Sequence, residues 1–168
     1  MSSMSGQILD AEGGCHCGEV RFRVQGEVLR NVYCHCANCT ASKGASPVHL
    51  LVVGGEDSVR WLGDPEAVTT RSSGALRLVS CSVCLCPLVQ YREGKGFRAV
   101  FPVLLDLRRG VVGDDHGADR LPDEWAPTAH LNYENRLFDW HDALPKFRAF
   151  GPGDELESDG RSKSPGGA

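Results

Sequence analysis

Gly14-Cys15-His16-Cys17-Gly18-Glu19-Val20-Arg21-Phe22-Arg23-Val24 decides how this chain is built. Two cysteines stand one residue apart, and Gly14 and Gly18 let the backbone turn sharply around them. Behind the turn, Val20, Phe22 and Val24 alternate with Arg21, Arg23 and Gln25. That is the period of a half-buried strand. A thiol-bearing turn that feeds a strand is therefore the unit to look for elsewhere.

It recurs at Cys81-Ser82-Val83-Cys84, between strand-like segments at 75–80 and 88–91. Further strands are expected around 59–61, 68–71, 97–102 and 129–133. The run Pro47-Val48-His49-Leu50-Leu51-Val52-Val53, ended by Gly54-Gly55, reads as a buried strand. Turn residues at short intervals point to an all-β sandwich or barrel-like sheet. One short helix is expected through Thr40-Ala41-Ser42-Lys43, stopped by Gly44. Residues 1–12 read as a flexible segment, 13–150 as one folded domain and 151–168 as a disordered tail rich in Gly, Ser, Pro and charge.

A chain of 168 residues suffices for one core and is short for two. The net charge of -4 and the scattered Arg71, Arg77, Arg92 and Arg98 leave no basic footprint for nucleic acid. No run of eighteen apolar residues offers a membrane span. The first residues lack the basic and apolar regions of a secretory signal. Cytoplasmic placement is expected, with the nucleus open as well. In that compartment thiols stay reduced, so eight cysteines point to metal ligation more than to disulfides.

The cysteines form three groups. The first and third supply Cys15, Cys17, Cys81 and Cys84, two close pairs from distant parts of the chain. That is the ligand set of a closed, structural zinc site. Buried free thiols are the plainer alternative. The second group, Cys34-His35-Cys36-Ala37-Asn38-Cys39, offers three thiolates within six residues. Three protein ligands with a fourth position open is the pattern of a catalytic zinc. The alternative is a second structural zinc closed by Cys86 or a histidine. Soft thiolates favour zinc over magnesium or calcium. His16 and His35 lie between ligands and are read as supporting or surface residues. His49 reads as a core histidine, and His116 as a solvated loop residue.

With these motifs in place, the chain resembles the glutathione-dependent formaldehyde-activating enzyme family, also called the centromere protein V family. The likeness lies in residues 14–22, in Cys34-His35-Cys36-Ala37-Asn38-Cys39, in Cys81-Ser82-Val83-Cys84, and in a closing block. That block holds His130-Leu131-Asn132-Tyr133-Glu134-Asn135-Arg136, Asp139, Asp142 and Leu144-Pro145-Lys146-Phe147. The resemblance implies an Mss-four-like complex β-sheet or barrel fold stapled by two zinc ions. It implies a structural zinc on Cys15, Cys17, Cys81 and Cys84, and a second zinc on Cys34, Cys36 and Cys39. It implies carbon–sulfur lyase chemistry, the reversible addition of glutathione to formaldehyde giving S-hydroxymethylglutathione. The catalytic residues would then be Cys34, Cys36 and Cys39, with His35, Asn38 and Lys43 nearby.

Two features depart from the family's pattern. Leu85, Cys86 and Pro87 follow the third cysteine pair where a glycine and a small polar residue are usual, so the loop is expected to take another path. Residues 61–64 and 94–106, candidates for lining a substrate site, are only loosely family-like. Two other functions fit the same motifs: a non-catalytic, zinc-stapled binding module of the centromere protein V type, and a metal-handling or thiol-redox protein.

Overall fold

The alternation after Gly18 becomes a long strand with its apolar side chains turned inward. A computed structural model describes residues 6–106, 121–151 and 153–162. His116 and its loop lie outside them. Among the described residues are nine strands and one α-helix. They are β1 (Ile8–Gly14), β2 (Arg21–Cys34), α1 (Ala37–Lys43), β3 (Val48–Gly54), β4 (Val59–Trp61), β5 (Val68–Ser73), β6 (Leu76–Cys81), β7 (Pro87–Tyr91), β8 (Phe97–Val100) and β9 (His130–Leu131). The chain divides into two compact units, Met1–Asn31 with Leu51–Ala126, and Val32–Leu50 with Pro127–Ala168.

The first unit carries an antiparallel sheet. Its strand order is β1-β2-β3-β8-β7-β6-β5, with β4 also paired to β2. β1 and β5 end that order, so the sheet is open and does not close into a barrel. The core is made by Val20, Phe22, Val24, Leu51, Val53, Val79, Leu88, Val89 and Val100, all buried, with Leu9 and Trp125. Period-two alternation places Phe22 and Val24 on one face of β2 and Leu51 and Val53 on one face of β3, while Leu88 and Val89, adjacent in β7, face opposite sides and are both buried.

Residues 8–12, expected to be loose, lie within β1. The strand runs antiparallel to β2, with Asp10 opposite Gln25 and Glu12 opposite Arg23. Only Leu9 gives its inner face a large side chain, while Ala11 and Gly13 are small, so the apolar pattern is faint. Charge supplies the rest. Arg23 donates two hydrogen bonds to Asp10 at 2.8 and 2.7 Å. Arg21 pairs with Asp106 at 2.6 Å and with Glu12 at 3.3 Å.

The second unit is built on a parallel pairing. β9 lies beside the end of β2, with Tyr33 opposite His130 and Cys34 opposite Leu131. The expected helix starts earlier than Thr40, at Ala37, and ends at Gly44 with φ 62° as expected. The stretch 153–162, assigned to a disordered tail, folds back in this unit. Leu156 is buried, and its N–H donates to the Lys146 carbonyl at 2.7 Å. The Asp154 carboxylate accepts from the N–H groups of Ala149, Phe150 and Gly151. One apolar anchor and one capping carboxylate are enough here, and composition alone does not reveal them.

Candidate metal centres

The first centre is built from two hairpin turns of the first unit. Cys15 and Cys17 lie on the β1–β2 turn, and Cys81 and Cys84 on the β6–β7 turn. Their four sulfur atoms all lie within 4.8 Å of one another. Cys15 Sγ is 3.4 Å from Cys17 Sγ, and Cys17 Sγ is 3.8 Å from Cys81 Sγ. Two ligands of a tetrahedral zinc with Zn–S bonds of about 2.3 Å are about 3.8 Å apart. The donor set therefore fits zinc in number, kind and spacing.

Backbone N–H groups turn toward these sulfurs, as they would toward thiolates. Val20 N–H donates to Cys15 Sγ at 3.2 Å, and Val83 N–H to Cys81 Sγ at 3.4 Å. The N–H groups of Cys86 and Cys17 hold the Cys84 thiol down to about 6. Each such bond favours the charged form of sulfur. Leu85, expected to force another path, itself takes φ 60°, the left-handed conformation that glycine supplies at least cost. Its N–H closes the turn on the Cys81 carbonyl at 3.1 Å.

Cys86 belongs to neither group of thiols. Burial pushes its thiol up, and the nearby sulfurs of Cys84, Cys15 and Cys81 push it the same way. It is a neighbour of the first centre. His16 is exposed, in keeping with a surface role. Trp61 and Arg98, from the regions of loosest resemblance, line a groove of about 200 Å³ in the first unit with Val89 and Tyr91. No cysteine lines that groove.

The second centre lies in the second unit. Cys34 ends β2, Cys36 caps α1 and Cys39 sits in its first turn. The three sulfurs lie within 4.8 Å of one another, and no fourth Cys, His, Asp or Glu joins them among the described residues. Cys36 Sγ accepts the Cys39 N–H at 3.3 Å. Hydrogen bonds from Cys34 and then Cys39 draw the Cys36 thiol down to about 2, and the same bond to Cys36 pushes Cys34 strongly up. Cys34 and Cys39 are buried and Cys36 is half-buried, so Cys36 marks the accessible side. Lys43 lies close enough for all three sulfurs to favour its charged form, although burial pulls its pKa down. The number and kind of donors fit a zinc with one position free.

Beneath the cluster is an array of polar groups, of which the sequence marks His35 alone for a supporting role. His35 is fully buried, and its Nε2 lies 2.8 Å from His130 Nδ1. His130 Nε2 lies 2.8 Å from Asp142 Oδ2. Lys146, also fully buried, donates to Asp142 Oδ1 at 3.0 Å. Burial holds His35 down to about 4 and also lowers His130. Burial alone would raise Asp142, but hydrogen bonds from His130 and Lys146 keep it below the usual carboxylate range. Asn132, in the left-handed region with φ 54°, directs its amide Nδ2 to Cys34 Sγ at 3.7 Å. Tyr133 packs against both histidine rings, and its hydroxyl accepts the Trp140 N–H at 2.7 Å.

The sequence profile of the glutathione-dependent formaldehyde-activating enzyme family matches residues 10–135, well over half of the chain. The protein belongs to this family. The match takes in all eight cysteines together with His35, His130 and Asn132, while Asp142 and Lys146 lie beyond it. A protein of Rhodobacter sphaeroides with a crystal structure is 23% identical, with a TM-score of 0.47, over 64% of this chain and 95% of that one. No curated protein matches the sequence. Membership associates the chain with glutathione-dependent formaldehyde activation or a related metal-binding function. No helix among the described residues is long and apolar enough to cross a membrane.

Proposed function

We propose that this family member is a zinc-dependent carbon–sulfur lyase-type enzyme. Its substrate is an adduct between a thiol, glutathione or a similar one, and formaldehyde or another small electrophile. The supporting observation is the incomplete second cluster: three converging sulfurs, a half-buried face at Cys36, and no fourth protein donor among the described residues. The first cluster, with four sulfurs, serves as the structural site.

Zinc held by Cys34, Cys36 and Cys39 would lower the pKa of an incoming thiol and present it as thiolate. The chain's own groups do the rest. The sulfurs of Cys34 and Cys39 are held by burial, so the incoming thiol approaches on the side of Cys36. Lys43 adds a cation there, favourable to the carboxylates of a peptide thiol. In the addition, the thiolate sulfur forms a bond to the carbonyl carbon, the C=O π pair moves to oxygen, and oxygen takes a proton. The reverse breaks the carbon–sulfur bond and releases aldehyde and thiol.

The test is metal content and adduct turnover in Cys36→Ser, read above a protein-free blank because aldehydes add to thiols unaided. The expected result is loss of one metal equivalent together with turnover. Full turnover after loss of that equivalent would overturn the reading.

A further inference from the structure

The hydrogen-bonded chain beneath the second cluster has a direction that can be worked out. Asp142 is a carboxylate with Lys146 on Oδ1, so Oδ2 can only accept. His130 must then carry its proton on Nε2, which leaves Nδ1 as an acceptor. His35 must in turn donate from Nε2 to that atom. Its own Nδ1 is left as a bare lone pair, and Nδ1 is indeed buried with no hydrogen-bond partner among the described residues. Three successive polar contacts thus fix one tautomer at a residue flanked by two thiol ligands.

The backbone around His35 is held from the same side. Its N–H donates to the Leu131 carbonyl at 3.0 Å, and the Asn132 amide reaches Cys34 Sγ. The segment His130–Asn132 therefore grips Cys34-His35-Cys36 by main chain, ring and amide. His35 itself is not a ligand, since neither ring nitrogen joins the cluster.

We propose that Lys146–Asp142–His130–His35 is a positioning chain, which locks the His35 ring in its Nε2–H tautomer and thereby sets Cys34 and Cys36 for metal binding. It rests on the reading that these thiols hold a metal. Groups that orient ligands from behind typically contribute 10–100-fold in metal affinity, about the range expected here. Asp142→Asn gives a specific result. Lys146 demands an acceptor, so the carbonyl of the introduced amide would turn to it and the NH₂ to His130. His130 would then have to accept on Nε2 and donate from Nδ1. His35 would become the acceptor on Nε2 and carry its proton on Nδ1. The whole chain reverses, as when an orienting carboxylate is amidated in a catalytic triad.

The experiment combines chelator competition for zinc with nitrogen NMR shifts of the imidazoles, on wild type, Asp142→Asn, Asp142→Glu and His130→Ala. Wild type should bind two equivalents, with Nε2–H signals for His35 and His130. Asp142→Asn should show both tautomers reversed and one equivalent weakened by about 10–100-fold, the other unchanged. Asp142→Glu, still acceptor-only, should keep the wild-type tautomers and most of the affinity. His130→Ala leaves the Lys146–Asp142 pair in place and should weaken the same equivalent, so the proposal stays testable if Asp142→Asn folds poorly. Wild-type affinity in both Asp142→Asn and His130→Ala, or wild-type tautomers in Asp142→Asn, overturns the positioning chain alone. A single equivalent in wild type overturns the metal reading and the chain with it.

Discussion

Cys17 Sγ stands 3.8 Å from Cys81 Sγ although 64 positions separate them in sequence. The contact joins the β1–β2 turn to the β6–β7 turn, two hairpins of the same sheet. A metal at this point would fasten the two loops to each other, so its binding energy would contribute to folding. Cys81→Ser should therefore lose one metal equivalent and destabilise the protein by about 5 kcal/mol or more, given that apparent binding energies of structural zinc are about 10–16 kcal/mol. Denaturant titration with and without chelator checks this, and an unchanged midpoint would count against the site.

Gly13 faces inward where no side chain fits. A Cβ there would lie 2.6 Å from the Leu104 carbonyl oxygen and 3.0 Å from both Leu105 and Phe22. Gly13→Ala should cost about 1–3 kcal/mol by overpacking. The expected fall in melting temperature is about 2–4 °C per kcal/mol for a chain of this size.

Leu85 offers the opposite case. It is exposed and occupies the left-handed region, which disfavours an L residue by about 1–2 kcal/mol. Leu85→Gly should stabilise the protein by about 0.5–1 kcal/mol, once the entropy of glycine in the unfolded chain is set against the relief. Metal stoichiometry should stay the same. A lower melting temperature would show that the leucine side chain has a contact worth more than the strain.

His49 supplies a pH dependence. Burial lowers its pKa from 6.5 to about 4 in the folded protein. The unfolded chain binds the proton more readily between those values, so stability rises with pH across that window. The contribution is complete above pH 6.5 and is lost as pH falls toward 4, at most about 3 kcal/mol. The His49 ring signal should titrate near pH 4 in NMR, and a midpoint near 6.5 would refute the assignment.

Most strands were legible because burial on one face writes a period of two, as Val20, Phe22 and Val24 show. β1 was not, since Ala11 and Gly13 carry little hydrophobic signal and Asp10 and Glu12 are held by arginines of the next strand. The two thiol groups were legible because ligand spacing is local within each turn. The support beneath Cys34 and Cys36 was not. His130 and Asn132 lie 95 and 98 positions from their partners His35 and Cys34, a separation that no local spacing spans. The family likeness marked His130, Asp142 and Lys146 as part of a block without giving them tasks.

That separation has a consequence for synthesis. The ligands of the first centre are complete once Cys84 has left the ribosome. The second centre has its thiols by Cys39, but His130, Asp142 and Lys146 emerge roughly 90–110 residues later, and at about 5–20 residues per second these three thiols wait for about 5–20 s without their support. During that interval a nascent chain is exposed to oxidants and to competing soft metals. On the proposed metal reading, metal supply and reducing power during synthesis would set how much finished protein carries a loaded second centre.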